Sequence, residues 1–237
     1  MAIKFERRRL LGAGLGIATA TMTSEALSRK GGGSEKETAA VEDLMREHGV
    51  LRRALLVYVE ATRRLRNGGP AFPADALMRT ARLFRSFGED YHERALEEQY
   101  VFPRAARLKG EAARLPNVLK TQHDRGREIT DYVLSVTSGG SIASANAASL
   151  AETLDGFVLM YQHHTALEDT VLFPAWKQAL PDSEYHELSE RFEELEHKMF
   201  GKDGFEDALK RIAQIEHDVG VSDLARFTAS RPPRPIS

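Results

Sequence analysis

A phrase built from histidine, glutamate and Phe-Pro occurs twice in the chain. The first copy, which begins at His92, reads HERALEEQYVFPRA, and the second, which begins at His163, reads HHTALEDTVLFPAW. Aligned without a gap, both copies have His at the first position, Ala-Leu-Glu at the fourth to sixth, and Phe-Pro at the eleventh and twelfth. Imidazole and carboxylate groups are nitrogen and oxygen ligands for transition metals, so the repeat predicts two related halves of one metal site.

Helical spacing decides which residues of each copy share a face. In an α-helix, positions four apart lie almost above one another. In the second copy, His164 and Glu168 lie on an apolar stripe, and His163 points elsewhere. In the first copy, the matching pair on the apolar stripe is Glu93 and Glu97.

The first copy therefore has Glu93 where the second has a histidine of the ligand type. His92, next to Glu93, remains the rival ligand if the helix is locally wound more widely.

Two further helices each carry one histidine on an apolar stripe. His48 lies among leucines in the first helical segment, and His123 follows Leu119 by one turn in the third. Burying imidazoles and carboxylates in an apolar interior is unfavourable unless a partner such as a metal ion compensates them. We interpret the adjacent acids Glu98 and Asp169 as solvated surface residues.

The composition limits the kinds of metal site and partner. The chain has 237 residues and no cysteine, which excludes disulfides, thiolate ligands and iron–sulfur clusters. Its first 30 residues contain six positive and two negative charges, and the whole chain has a net charge of −2. The remainder therefore has a net charge of about −6, which argues against a nucleic-acid partner.

The N-terminus has the features of an export signal. Residues 1–28 contain Arg7-Arg8-Arg9-Leu10-Leu11 near their start and continue into an apolar, Gly/Ala-rich stretch. The arginine run resembles that of a twin-arginine signal. The apolar stretch is too short to span a bilayer comfortably. We expect a periplasmic or otherwise exported protein with no membrane span after cleavage, and residues 29–40 to form a flexible linker.

The apolar spacing predicts an all-α protein. Four main helices joined by short loops indicate an up-down four-helix bundle, followed by two additional C-terminal helices. We assign the bundle and these helices to residues 41–217 and a C-terminal tail to residues 218–237.

The chain resembles the hemerythrin-like, or hemerythrin HHE, family of non-haem di-iron proteins. The resemblance is carried by the segments REHGVLRR, YHERALEEQYVFP, TQHDRGR, HHTALEDTVLFP and ELEHKMFGKDGFE. It implies a hemerythrin-type bundle, two non-haem iron ions in a centre of the Fe-O-Fe type, and a small diatomic or peroxide ligand. The ligands implied by position are His48, Glu97, His123, His164 and Glu168.

Two departures from the family pattern affect the expected ligand set. Glu93 stands where the second helix would have a terminal histidine, and Arg127 stands where the third helix would have a second one. His197, in a segment similar to one branch of the family, is a candidate to supply the missing nitrogen. A shell with more carboxylates favours higher iron oxidation states.

The resemblance leaves three functions open. The first is a di-iron protein that binds or senses O2, nitric oxide or peroxide. The second is a di-iron oxidoreductase with peroxidase-, catalase- or ferroxidase-like activity. The third is a structural or partner-binding helical protein with an incidental metal site, and the sequence identifies no protein partner.

Overall fold

A computed structural model describes residues 39–67 and 72–234. Over these residues the chain is helical, with no β-strand, which confirms the all-α prediction. None of the helices in this part of the chain is long and apolar enough to cross a membrane. The predicted export signal and nearly all of the predicted linker lie outside the described residues.

Six helices follow one another in the described ranges. α1 spans Ala40–Asn67 and α3 spans Leu115–Thr137. α2 runs without interruption through Ala74–Leu83, Phe84–Val101 and Phe102–Ala105. α4 does the same through Ser144–Leu167, Glu168–Leu172 and Phe173–Gln178. The C-terminal helices are α5, Asp182–Phe200, and α6, Gly204–Val219, and a short 3-10 turn follows at Leu224–Phe227.

The first four helices form a closed bundle. Each packs against the next along the chain, and α4 packs back against α1. Their shared interior is rich in aromatic side chains. The ring of Phe157 packs against those of Tyr58, Phe84 and Tyr161, and Phe84 also packs against Tyr161, edge-to-face or tilted, with ring centroids 4.6 to 5.4 Å apart. This apolar block fixes the helices around the polar residues that lie beyond it along the bundle axis.

The middle segments of α2 and α4 are π-helical, which means that they are wound more widely than an α-helix. The backbone N–H of Phe102 donates to the carbonyl of Glu97, and that of Phe173 donates to Glu168, each five residues back instead of four. A proline follows each phenylalanine, lacks an N–H, and would clash with the carbonyl four residues back in a regular helix. The repeated Phe-Pro thus accounts for the last wide turn of each segment, a feature that is frequent at functional sites.

The C-terminal helices lie against α1 and α2. The guanidinium of Arg53 on α1 donates to both carboxylate oxygens of Glu216 on α6, at 2.9 and 2.5 Å. The backbone N–H of Ala40, at the start of α1, donates to the Ser189 hydroxyl of α5 at 3.0 Å. These contacts cover the outer side of the α1–α2 pair and join α5 and α6 to the bundle.

Candidate metal centre

Four buried histidines meet in two pairs inside the bundle. Nε2 of His48 on α1 lies 2.9 Å from Nε2 of His92 on α2. Nε2 of His123 on α3 lies 3.2 Å from Nε2 of His164 on α4. None of these four residues is more than 3% exposed. Each of the four bundle helices therefore contributes one imidazole to a shared interior.

Two buried glutamates connect the histidine pairs. Glu97 places Oε1 3.5 Å from Nε2 of His92 and Oε2 3.3 Å from Nε2 of His123. Oε2 of Glu168 lies 3.1 Å from Nε2 of His164 and 3.4 Å from Nε2 of His48. None of the four carboxylate oxygens accepts a hydrogen bond. Each glutamate therefore reaches both pairs, as a carboxylate that bridges two ions would.

In each of these four histidines, Nδ1, the ring nitrogen that faces away from the pair, contacts an oxygen acceptor. Nδ1 lies 2.5 to 3.0 Å from a side-chain oxygen in the pairs His48–Asp169, His92–Glu47, His123–Glu98 and His164–Gln122. Carboxylate and amide oxygens only accept, so Nδ1 carries the hydrogen and a neutral ring presents the Nε2 lone pair inward. Such outer partners orient metal-binding histidines and increase their basicity.

The close contacts between Nε2 atoms require a proton or a metal ion between the rings. Two neutral imidazoles that face each other through lone pairs at 2.9 or 3.2 Å repel, whereas a proton on one Nε2 or a metal ion bound to both removes the repulsion. Two nitrogens bound at about 2.1 Å to one ion, with about 90° between the bonds, would be about 3 Å apart. The separations in both histidine pairs match that value, so the residues fit a metal ion at each pair.

The pKa values show which groups would hold protons without metal. Burial lowers the pKa of His92, but the charges and hydrogen bonds of Glu97 and Glu47 together outweigh burial and raise the pKa to about 10. For His123 the same opposition, with Glu93 as the largest raising charge, gives a pKa of about 9. Burial, aided by the charge of Glu97, raises the pKa of Glu168 well above its usual range.

The other histidine of each pair has a lowered pKa. Burial lowers the pKa of His48, and it lowers that of His164 well below its usual range. Each histidine pair therefore holds one proton at neutral pH when no metal is bound, in addition to the hydrogen on each Nδ1.

Metal binding should release about three protons per chain at pH 7. Their sources are His92 and His123, whose pKa values of about 10 and about 9 keep them charged at that pH, and Glu168, whose raised pKa favours the protonated acid. Metals bind only the deprotonated forms, so apparent affinity should rise with pH. Titration of metal-free protein with Zn²⁺ in two buffers of different ionisation enthalpy measures the release. A value below one proton would contradict this arrangement.

Glu93 points away from the histidine pairs. The Tyr161 hydroxyl donates to its Oε1 at 2.7 Å, and Nη2 of Arg127 lies 3.2 Å from its Oε2. Both oxygens are therefore engaged on a side of α2 that faces α3 and α4. The structure thus places His92 at the position for which the sequence offered Glu93 and His92 as rivals.

Gly126 leaves the space that Tyr161 needs for this contact. A Cβ atom at position 126 would lie 2.1 Å from the Tyr161 hydroxyl oxygen. Gly126→Ala should displace Tyr161 from Glu93 and lower the free energy of unfolding by about 2–3 kcal/mol.

Urea unfolding of the metal-free protein would measure the effect, with Gly156→Ala as the matched control. Gly156 is exposed on α4 with nothing within 4 Å of an added Cβ, so that change should stabilise by up to about 1 kcal/mol. Equal effects of the two changes would mean that Tyr161 is not held at Gly126.

Six of the candidate ligands meet in the cluster and two do not. His48, Glu97, His123, His164 and Glu168 lie where the sequence analysis predicted, and His92 joins them. The two that do not are Glu93, which contacts Tyr161 and Arg127 instead, and His197, which is exposed on α5. His163, which the sequence analysis placed off the apolar stripe, is exposed on α4. Ligation of a metal by these residues stays a prediction.

Sequence analysis missed the outer partners of the histidines. Glu98 and Asp169 are not solvated as interpreted, because their side chains are only 14% and 17% exposed and contact His123 and His48. A signal was present, since an acid follows the glutamate in both copies of the repeated phrase, as Glu97-Glu98 and Glu168-Asp169. Glu47 and Gln122 carried no comparable signal, because their contacts are set by packing between helices.

Comparisons with known proteins identify the family. The family model described as the hemerythrin HHE cation binding domain matches residues 39–176. Uncharacterised proteins of Mycobacterium tuberculosis and Mycobacterium bovis are 43% identical over 197 residues, covering 83% of this chain and 76% of theirs. No solved structure matches the chain. With its matched domain containing all six residues of the cluster, the chain belongs to the hemerythrin HHE cation-binding family.

Proposed function

We propose that the two histidine pairs hold two iron ions that are bridged by Glu97 and Glu168. One ion would be held by His48 and His92 and the other by His123 and His164. The observation that carries this proposal is the pair of buried carboxylates, each within 3.5 Å of both histidine pairs and with no hydrogen bond to its oxygens. This set replaces the predicted Glu93 with His92 and leaves out His197.

The charge balance favours two ions over one. Four carboxylates that are at most 1% exposed surround the histidine pairs: Glu47, Glu93, Glu97 and Glu168. The buried permanent cation that accompanies them is Arg127. About three negative charges are left to compensate when all four are ionised. A buried charge without compensation is strongly unfavourable. One divalent ion leaves the site negative, whereas two supply enough positive charge for a small anionic bridge as well.

The ligand set supports iron as the metal. Imidazole and carboxylate together suit iron, and the chain has no cysteine to favour softer metals. Bound iron would supply the redox chemistry with O2 or hydrogen peroxide. The protein would hold the ions, keep the imidazoles in one tautomer through their Nδ1 partners, and exclude bulk water from the interior.

Burial limits the reactant to a small molecule. All six proposed ligands are at most 3% exposed, and none lines the surface grooves described in this part of the chain. An organic substrate could not reach the histidine pairs without separation of the helices, whereas O2, peroxide or nitric oxide could. We therefore propose that the centre reacts with O2 or hydrogen peroxide.

The test is metal content and reactivity of the full chain. Protein reconstituted with ferrous iron without O2 should contain about two irons per chain. Exposure to air or to hydrogen peroxide should produce near-ultraviolet absorption of bridged ferric ions, with several equivalents of peroxide consumed per chain. Less than one iron per chain, or a preference for zinc with no peroxide consumption, would refute the proposal and favour an incidental site.

A further inference from the structure

A third group of cation ligands lies beside the His123–His164 pair. Glu93, Glu98 and His123 each offer one ligand atom, and these atoms lie within 4.8 Å of one another. This group uses the Nδ1 side of His123, which lies 3.0 Å from Glu98 and 4.0 Å from Glu93, so a metal ion bound to that atom would take the place of the Nδ1 hydrogen. It is therefore separate from the Nε2 side, where the proposed iron would bind.

The guanidinium of Arg127 already occupies this position. Its Nη2 lies 2.5 Å from Oε1 of Glu98 and 3.2 Å from Oε2 of Glu93. Its Nη1 is anchored by Asp124 at 2.9 Å, and its buried Nε has no hydrogen-bond partner. The residue is 9% exposed. An arginine keeps its charge in proteins, so this cation is permanent.

We propose that Arg127 is a built-in cation that fills a third metal position and so limits the bundle to two metal ions. The inference rests on the proposed two-ion function. Without Arg127, Glu98 would keep the half-exposed ammonium of Lys120 at 3.3 Å, whereas the buried Glu93 beside it would have no permanent cation. A divalent cation would then be the favoured compensation.

Arg127 also keeps Glu93 out of the ligand set. Its guanidinium and the Tyr161 hydroxyl hold one oxygen of that carboxylate each. Glu93 is therefore turned towards α3 and α4, which leaves the position near the metals to His92. The arginine thus sets both the number of ions and the identity of a ligand.

The test counts Zn²⁺ ions bound by variants of the full chain. Metal-free protein is mixed with excess Zn²⁺, desalted, and analysed for metal and protein. Arg127→Ala should bind one more Zn²⁺ per chain than the wild type, and Arg127→Lys, which keeps a cation, should bind no more. Adding guanidinium ion at a concentration well below that which unfolds the protein should remove the extra Zn²⁺ from Arg127→Ala.

Arg125→Ala is the matched control on the same helix. Arg125 is exposed and pairs with Glu128, so the change should leave the Zn²⁺ count unaltered. If the alanine variant does not fold, the Zn²⁺ count is measured on Arg127→Gln, which keeps part of the hydrogen bonding but has no charge. An unchanged or lower Zn²⁺ count in the folded Arg127→Ala or Arg127→Gln protein would overturn the inference. The wild-type count tests the proposed function separately, because the inference depends only on the difference between variant and wild type.

Discussion

Glu168→Gln should leave the metal-free protein nearly as stable as the wild type but abolish much of the stabilisation that metal provides. In the metal-free chain burial raises the pKa of Glu168 well above its usual range, which favours the neutral acid. Glutamine has the same shape and is also neutral, so the change in unfolding free energy should be below about 1 kcal/mol. With metal the comparison reverses, because an amide cannot replace a bridging carboxylate.

The size of the metal effect follows from linkage. Each ion present at a hundredfold excess over its dissociation constant adds about 2.7 kcal/mol to stability. The variant should lose at least one such contribution and at least one of two bound metals. Urea unfolding with and without Zn²⁺, together with metal analysis, measures both quantities.

Glu152→Gln provides the control for this prediction. Glu152 is exposed on the same helix, and its replacement should alter neither the metal-free stability nor the metal effect. If Glu168→Gln kept two ions and the full metal-dependent stabilisation, Glu168 would not be a bridge. If it instead destabilised the metal-free protein by several kcal/mol, the carboxylate would have a structural partner in the fold.

Much of the bundle could be predicted because helix formation and burial leave a local signal. Apolar side chains that recur at three and four residues mark the inward faces, and short polar or glycine-rich segments mark the loops. His48, His123 and His164 lie on such faces, so the same spacing that predicts the helices also predicts their burial. The duplicated glutamates follow from the repeated phrase.

The spacing of apolar residues could not decide whether His92 or Glu93 faces the cluster. A regular α-helix places Glu93 one turn before Glu97, and the stripe analysis assumed this winding. In the structure α2 is π-helical here, so the residue one turn before Glu97 is five positions back, at His92.

The role of Arg127 was also out of reach of local patterns. The sequence shows an arginine at a place where the resembling family has a histidine, but it does not show what the side chain contacts. Its partners Glu93 and Glu98 lie on α2, 34 and 29 residues away in the sequence. Such contacts depend on how α2 and α3 pack, which periodicity within one helix does not determine.

His92→Ala should remove about one of the two metal ions, whereas Glu93→Gln should keep both. His92 lies 2.9 Å from His48 through Nε2 and has Glu47 at 2.5 Å behind Nδ1, the arrangement of an oriented ligand. Glu93 contacts Tyr161 and Arg127 instead. Loss of an outer partner alone weakens metal binding by about 10- to 100-fold, and loss of the ligand itself should exceed that. Metal analysis and Zn²⁺ affinity of both variants measure the difference.

His163→Ala is the control for this comparison because His163 is the residue aligned with His92 in the repeated phrase. It is exposed, since α4 keeps α-helical winding through Leu167 and His164 is the residue that turns inward. This variant should keep both ions at wild-type affinity. If Glu93→Gln lost an ion while His92→Ala kept two, α2 would have regular winding in solution and Glu93 would be the ligand. Equal losses from His92→Ala and His163→Ala would instead mean that α4 is wound like α2 in the metal-bound protein, because the two copies of the phrase would then present the same residue to the metals.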